Sequence, residues 1–222
     1  MEIIARIYTD FKEKFGIPRQ SGLAKTRGRI VFEPKYRNPD ALRGIEGYSH
    51  LWLIWQFSEA TSEDWRPTVR PPRLGGNKKM GVFATRSPYR PNPIGLSSVE
   101  FERVENEGDD GLVIYVRGAD ILDGTPIYDI KPYLAFTDSH PDAKCGFADE
   151  KFGKKLNTHI PQDLQSRISK DELSELIEIL EEDPRPQYQS DPERVYGMKL
   201  RGLEVRFKVE GSTLYVTEIT NS

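Results

Sequence analysis

The amino-acid sequence predicts a mainly β protein: a small antiparallel β-barrel over residues 1–145, followed by a smaller α+β unit over 146–222. Three observations carry that prediction. The apolar runs of the first part are short and strand-like, Gly, Pro and Asp punctuate them, and no long helical period alternates with them. The tail then changes character, with one amphipathic helical stretch and two alternating strand patterns.

Residues 3–8 (Ile-Ile-Ala-Arg-Ile-Tyr) form a β-rich opener, and residues 29–32 a second strand that stops at Pro34. Residues 50–57 are the most apolar run, and their aromatic enrichment favours a buried strand, which makes His50 a core histidine. Strand patterns follow at 80–84, 96–104 and 112–117, the last two joined by the Glu-Gly-Asp-Asp-Gly turn at 107–111. Residues 41–47 are too glycine-rich for a long helix. Beyond 146, Leu173, Leu176, Ile177 and Leu180 repeat at helical spacing, with Ser169 as N-cap, Glu172 three residues on, and an end at Pro184. Val205, Phe207 and Val209 alternate as a strand, and Leu214 and Val216 follow the Gly211-Ser212 turn as another.

Composition excludes several classes. The 222 residues are 36% hydrophobic and 30% charged, and no apolar run reaches the roughly 20 residues that cross a bilayer. Residues 1–6 lack a basic stretch followed by an apolar core, so a cytosolic protein is expected. The single Cys145 forms no intramolecular disulfide and reads as an inert thiol near a unit junction; His50, His140 and His159 are too scattered for a zinc site. No metal is expected. Gly-x-Gly-x-x-Gly, Gly-x-x-x-x-Gly-Lys-Ser/Thr and Gly-x-Ser-x-Gly are all absent, which removes the sequence anchors for Rossmann, P-loop and serine-hydrolase readings.

Charge and loop chemistry point to an anionic partner. Residues 1–145 hold 21 Lys+Arg against 20 Asp+Glu, whereas 146–222 hold 11 against 15. Within the first part, Arg66, Arg70, Arg73, Lys78, Lys79, Arg86 and Arg90 form a block with no acid between Asp64 and Glu100. Five prolines fall between 71 and 93, stiffening loops that also carry arginine forks and glycines. Such loops beside strands form a preorganised binding surface. A third cluster runs from Asp120 to Asp123 and on through Asp129, with an ordinary Asp-Gly turn as the structural alternative.

These loops carry a resemblance. Residues 81–96 (Gly-Val-Phe-Ala-Thr-Arg-Ser-Pro-Tyr-Arg-Pro-Asn-Pro-Ile-Gly-Leu) closely resemble the signature of the TsaA-like (TrmO) tRNA methyltransferases. So do residues 14–20, 47–52, 70–77, 123–126, 129–133 and 183–186, in the family's order through nearly the whole chain. The resemblance implies a β-barrel that binds S-adenosylmethionine, as a homodimer with the cofactor near the subunit interface. It also implies N6-methylation of threonylcarbamoyl-adenosine at position 37, beside the anticodon of threonine tRNAs. Carried over by motif, the cofactor contacts are Pro18, Arg19, Gln20, Ser58, Glu59, Arg86, Leu96, Asp120, Ile121, Leu122 and Asp123. Ser58 stands where many members have His, so a backbone contact there is retained and a His side-chain role is not.

On the nucleic-acid side, Arg66, Arg70, Arg73, Lys78, Lys79 and Arg90 would contact anticodon-loop phosphates, with Tyr89 or Trp65 as stacking surfaces. No residue is assigned as general base. The alternative keeps the cofactor and changes the acceptor to another RNA or a small molecule, because fold does not fix the acceptor. A non-catalytic ligand-binding barrel is a third reading. The acidic C-terminal unit reads as a packing or dimer-supporting module; the competing view returns the loop at 183–188 to the active site.

Overall fold

The computed structural model describes residues 1–60, 65–71, 74, 78–151, 155–185 and 191–221. Six strands close a barrel in the order β1-β2-β7-β6-β3-β8, with every pairing antiparallel. They are β1 (Ala5–Thr9), β2 (Arg27–Phe32), β3 (His50–Gln56), β6 (Ile94–Asn106), β7 (Leu112–Arg117) and β8 (Thr125–Pro132). Between β3 and β6 lies a two-stranded ribbon, β4 (Thr68–Val69) with β5 (Met80–Gly81).

The period-2 pattern decides which side chains fill the barrel. On β3, Leu51, Leu53 and Trp55 are buried, joined by Ile7, Ile30, Val99, Ile114, Val116 and Ile127 from the other strands. That register corrects the reading of His50. With Leu51 inside, its neighbour must face out, and His50 is exposed at the strand's first position, its ring nitrogen 3.0 Å from Ser49 Oγ.

The expected strand at 80–84 is two residues long. It gives way to a 3-10 turn, Val82–Ala84, because the Val82 carbonyl accepts from both the amide (3.2 Å) and the hydroxyl (2.8 Å) of Thr85 instead of from a neighbouring strand. Strand β8 falls within the stretch read as a carboxylate-bearing turn cluster. Its burial pattern does not alternate, its register shifts beside Trp55, and Pro126 and Pro132 sit within it, so no strand period is visible.

A second sheet, order β10-β11-β12-β9, comprises β9 (Asn157–His159), β10 (Tyr196–Leu200), β11 (Leu203–Glu210) and β12 (Thr213–Asn221), with β9 parallel to β12. Short helices α1 (Ala135–Asp138) and α2 (Gln162–Gln165) precede the longer α3 (Lys170–Glu181). Ser169 caps α3 as expected: its hydroxyl accepts from the Glu172 amide and the Glu172 carboxylate accepts from the Ser169 amide at 2.9 Å. Leu176, Ile179 and Leu180 of α3 are buried against Met198, Val205, Phe207 and Leu214 of the sheet.

This second core is not built from the C-terminal residues alone. Phe11 and Ala24, from the long β1–β2 connection, are buried in it, and the Phe15 ring stacks on Tyr196 and Phe207 with centroids 6.5 Å from each. The β1–β2 connection therefore ties the barrel to the C-terminal sheet, and it carries the Pro18-Arg19-Gln20 motif between the two.

Candidate active site

Four loop or strand-end segments meet in a cleft of about 830 Å³: residues 17–20 after β1, the end of β3 through Ala60, the proline-rich 86–96 stretch, and the 120–125 segment before β8. Trp55 anchors its floor. The indole packs flat against Gly95, where an added Cβ would lie 2.2 Å from the ring, so only glycine admits it. Trp55 Nε1 donates to Ser97 Oγ (3.0 Å), and Ser97 donates in turn to Asp120 Oδ1 (2.6 Å). Ser97 is itself buried, so this relay fixes the Asp120 carboxylate at the cleft wall. Burial pushes the Asp120 pKa up, and the Ser97 hydrogen bond opposes part of that rise.

Of the residues expected to hold a cofactor, Pro18, Arg19, Gln20, Ser58, Glu59, Arg86, Leu96, Asp120 and Leu122 line this cleft. Arg86 and Gln20 are joined by a short hydrogen bond from guanidinium to amide oxygen, linking two of the loops. Glu59 pairs with Lys14 (3.0 Å). Leu96 leaves 58% of its surface open, an apolar face presented to the cleft. Two expected residues lie elsewhere. Ile121 is wholly buried in the barrel core. Asp123 accepts from the Thr9 amide (2.9 Å) and the Lys12 ammonium (2.6 Å), bracing β1.

A second, larger groove of about 2180 Å³ shares a wall with the first, made by Phe83, Arg86, Pro88, Tyr89, Arg90 and Pro91. Arg66, Arg70, Lys79, Tyr89 and Arg90 line it, as does Trp65, while the far side runs from Pro141 to Asp149. Lys78 is exposed beside Lys79 but outside the lining. Arg73 lies outside the described residues. Among described residues the groove's lining includes Lys144 as a further cation and Asp149 as its acid, so positive charge dominates. Cys145 lines the same groove, exposed, its amide held by Asp149 (3.1 Å).

Sequence reasoning missed Trp55, Ser97 and Phe83. The first two were readable only as strand residues, since no sequence period indicates which inward-facing polar group will meet a carboxylate. Phe83 was hidden in the expected strand at 80–84, where an aromatic residue needs no explanation.

A closed β-barrel, a cleft with a fixed carboxylate and an adjoining basic groove fit the class of enzymes that act on nucleic acid. The comparisons with known proteins agree. Residues 6–139 match the model of the tRNA-methyltransferase O N-terminal domain, and residues 152–222 match that of the TrmO C-terminal domain. The chain is 42% identical over 217 residues to the tRNA (adenine(37)-N6)-methyltransferase of Escherichia coli strain K12, covering 94% of this chain and 92% of the relative. It is 40% identical over 218 residues to a putative S-adenosylmethionine-dependent methyltransferase of Pseudomonas aeruginosa, covering 92% and 90%. The crystal structure of TrmO from the same organism superposes with a TM-score of 0.77 at 31% identity, over 99% of this chain and 95% of that one. The chain belongs to the TrmO family of tRNA methyltransferases.

Proposed function

We propose that this protein is an S-adenosylmethionine-dependent tRNA methyltransferase acting on N6 of adenine-37, with threonylcarbamoyl-adenosine in threonine tRNA as its preferred acceptor. The observation that carries the reading is the shared wall: a cofactor-sized cleft and a basic groove meet at Arg86, Tyr89 and Arg90, so a donor in one stands beside an acceptor held in the other. The cleft's chemistry fits the donor. Arg86 offers a guanidinium for an α-carboxylate, Asp120 a carboxylate for a sulfonium, and Leu96 and Leu122 apolar surface for a purine. When bound, S-adenosylmethionine supplies an electrophilic methyl group on a positively charged sulfur.

The chain's own residues then have three tasks. Arg19, Gln20 and Arg86 orient polar ends, and the Gln20–Arg86 hydrogen bond keeps their loops in register. The proline-rich wall supplies a rigid surface for in-line approach, which by itself accounts for a large part of such accelerations, since effective molarities reach about 10⁵–10⁸ M. The acceptor nitrogen must also lose one proton as the new C–N bond forms, and water or a carboxylate takes it up. Ser58 enters this scheme through its backbone, consistent with its replacing a histidine common in the family.

In this reading, residues 1–145 are the catalytic barrel and 146–222 a C-terminal unit that borders the site, and Arg66, Arg70, Lys79 and Arg90 contact anticodon-loop phosphates. The enzyme acts as a cytoplasmic homodimer. The test is transfer from labelled S-adenosylmethionine to tRNA isolated from cells lacking this protein, followed by nucleoside mass spectrometry. A new methyl on threonylcarbamoyl-adenosine is expected; methylated plain adenosine would remove the threonylcarbamoyl requirement, and no transfer with intact tRNA would remove the acceptor assignment.

A further inference from the structure

Phe83 is the most unusual apolar residue of the shared wall. Its side chain is 71% exposed, yet it sits on a rigid base. Val82 beside it is buried, the Val82 amide donates to the Pro67 carbonyl (2.9 Å), and Thr85 closes the 3-10 turn from the other end. Its ring stacks near Trp65, itself half-exposed, with centroids 6.1 Å apart and planes 29° from parallel. The Arg90 guanidinium carbon lies 6.0 Å from the Phe83 centroid. A fixed, open aromatic ring flanked by cations attracts a flat, electron-rich ligand attached to negative charge. That describes an unstacked nucleobase on its phosphate backbone.

From this geometry we infer that Phe83 is the stacking platform that receives the substrate's unstacked purine at the mouth of the donor cleft, with Trp65 supporting the ring. This rests on the tRNA methyltransferase reading and deepens it by naming the residue that holds the acceptor base. Phe83 borders both the groove and the cleft, so a base stacked on it lies at the junction between the RNA path and the donor site. The cations of the groove wall select the occupant: a polyanion satisfies Arg66, Arg70 and Arg90, whereas an apolar peptide does not.

The test compares wild type with Phe83→Ala, Phe83→Leu and Phe83→Trp, using tRNA from cells lacking this protein. The readouts are the KM for tRNA, kcat, equilibrium binding of S-adenosylmethionine, and mass in solution. Because Phe83 is exposed, all three variants are expected to fold, and melting temperature checks it. Phe83→Ala should raise the KM for tRNA about 5- to 150-fold with S-adenosylmethionine affinity unchanged. Phe83→Leu should behave like alanine, and Phe83→Trp should restore tRNA binding, a split that general loss of apolar packing does not produce. An unchanged KM in Phe83→Ala overturns the inference. So does an equal loss of S-adenosylmethionine affinity, which would place Phe83 with the donor, or a change in mass, which would place it under a second copy of the chain. Wild type that turns over no tRNA at all overturns the functional reading, a result separate from these.

Discussion

The guanidinium of Arg19 donates to the main-chain carbonyl of Asp183, 2.8 Å away and 164 residues further along the chain. The same Nη2 also reaches the Arg185 carbonyl at 3.0 Å. Asp183 is held for this purpose in a left-handed conformation (φ 51°), and its carboxylate forks onto the Arg185 side chain at 2.8 and 3.0 Å. A residue of the cleft is thus clasped by the turn that ends α3. The chain of the C-terminal unit therefore reaches the edge of the cleft. How residues 187 and 188 continue from there lies outside the described residues.

Arg19→Lys keeps the charge but replaces the planar guanidinium, whose Nη2 meets both carbonyls, with an ammonium of shorter reach. We expect a stability loss of about 1 kcal/mol, or a melting temperature about 2–4 °C lower, together with weaker S-adenosylmethionine binding. Calorimetric titration beside thermal melting checks both. A lower melting temperature with full affinity would confine Arg19 to joining the two units.

Gly95→Ala drives a methyl group into the Trp55 indole, 2.2 Å from its nearest atom. The ring must move, and with it the hydrogen bonds that run through Ser97 to Asp120. Overpacking of this kind costs about 1–3 kcal/mol. The expected signature is weaker S-adenosylmethionine binding beyond what the melting temperature alone explains, because Asp120 loses its orientation. Denaturant unfolding and calorimetric titration of the same preparation measure the two effects.

These residues also show what could be read without a structure. Short apolar, β-rich runs located β1, β2, β3, β6 and β7, alternation located β11, the Gly211-Ser212 turn located β12, and the capping pair Ser169 and Glu172 located the start of α3. The same logic fails where both faces matter. β8 is buried on non-alternating positions and carries prolines, whereas β10, which does alternate with Tyr196, Met198 and Leu200 buried, is only five residues long and has Gly197 within it. The cleft was legible as motifs because loops that bind ligands carry unusual residues. Motif continuity cannot distinguish neighbours by direction: within 120–123, Asp120 and Leu122 face the cleft, Ile121 fills the barrel, and Asp123 braces β1.

With the donor held beside Asp120, as proposed above, its affinity should depend on pH. The Asp120 pKa lies above the ordinary carboxylate range because burial disfavours the charged form. As pH rises through that elevated value the carboxylate ionises and its attraction for a cationic sulfur grows, so affinity should increase with pH and then level off. Asp120→Asn should flatten this profile and weaken binding roughly tenfold at the plateau. Titrations from the ordinary carboxylate range upward, about pH 4 to 8, decide it; an unchanged slope in the variant would assign the pH dependence elsewhere.

Arg201 bridges a partly buried acid and a buried one at the joint between barrel and C-terminal sheet, 3.1 Å from Asp10 and 3.5 Å from Glu175. Burial raises the pKa of both acids, and Arg201 pulls them back down. A raised carboxylate pKa in the fold means stability that is complete at low pH and is lost as pH climbs through the folded-state value. Arg201→Ala should deepen that loss, costing about 2–3 kcal/mol near neutral pH; the figure stays below the roughly 3–5 of a wholly buried pair because Asp10 and Arg201 keep part of their surface in water. The deficit should shrink as pH falls and both acids become protonated with or without the arginine. Urea unfolding at several pH values checks this, and a deficit independent of pH would reduce Arg201 to a packing role.

Two cations eight residues apart separate groove contact from bulk charge. Arg70 lines the groove and Lys78 does not, though both belong to the same basic block. Arg70→Ala should weaken tRNA binding and lower the slope of log K against log salt by about 0.7, the share of one phosphate on a single strand. Lys78→Ala should leave that slope nearly unchanged, since a charge in open solvent contributes only screened, long-range attraction. S-adenosylmethionine affinity should be the same in both variants, because neither residue borders the donor cleft. Filter binding across a salt series resolves the difference. Equal slopes for the two variants would mean that the whole block acts as a diffuse positive field and that the groove does not set the path of the RNA.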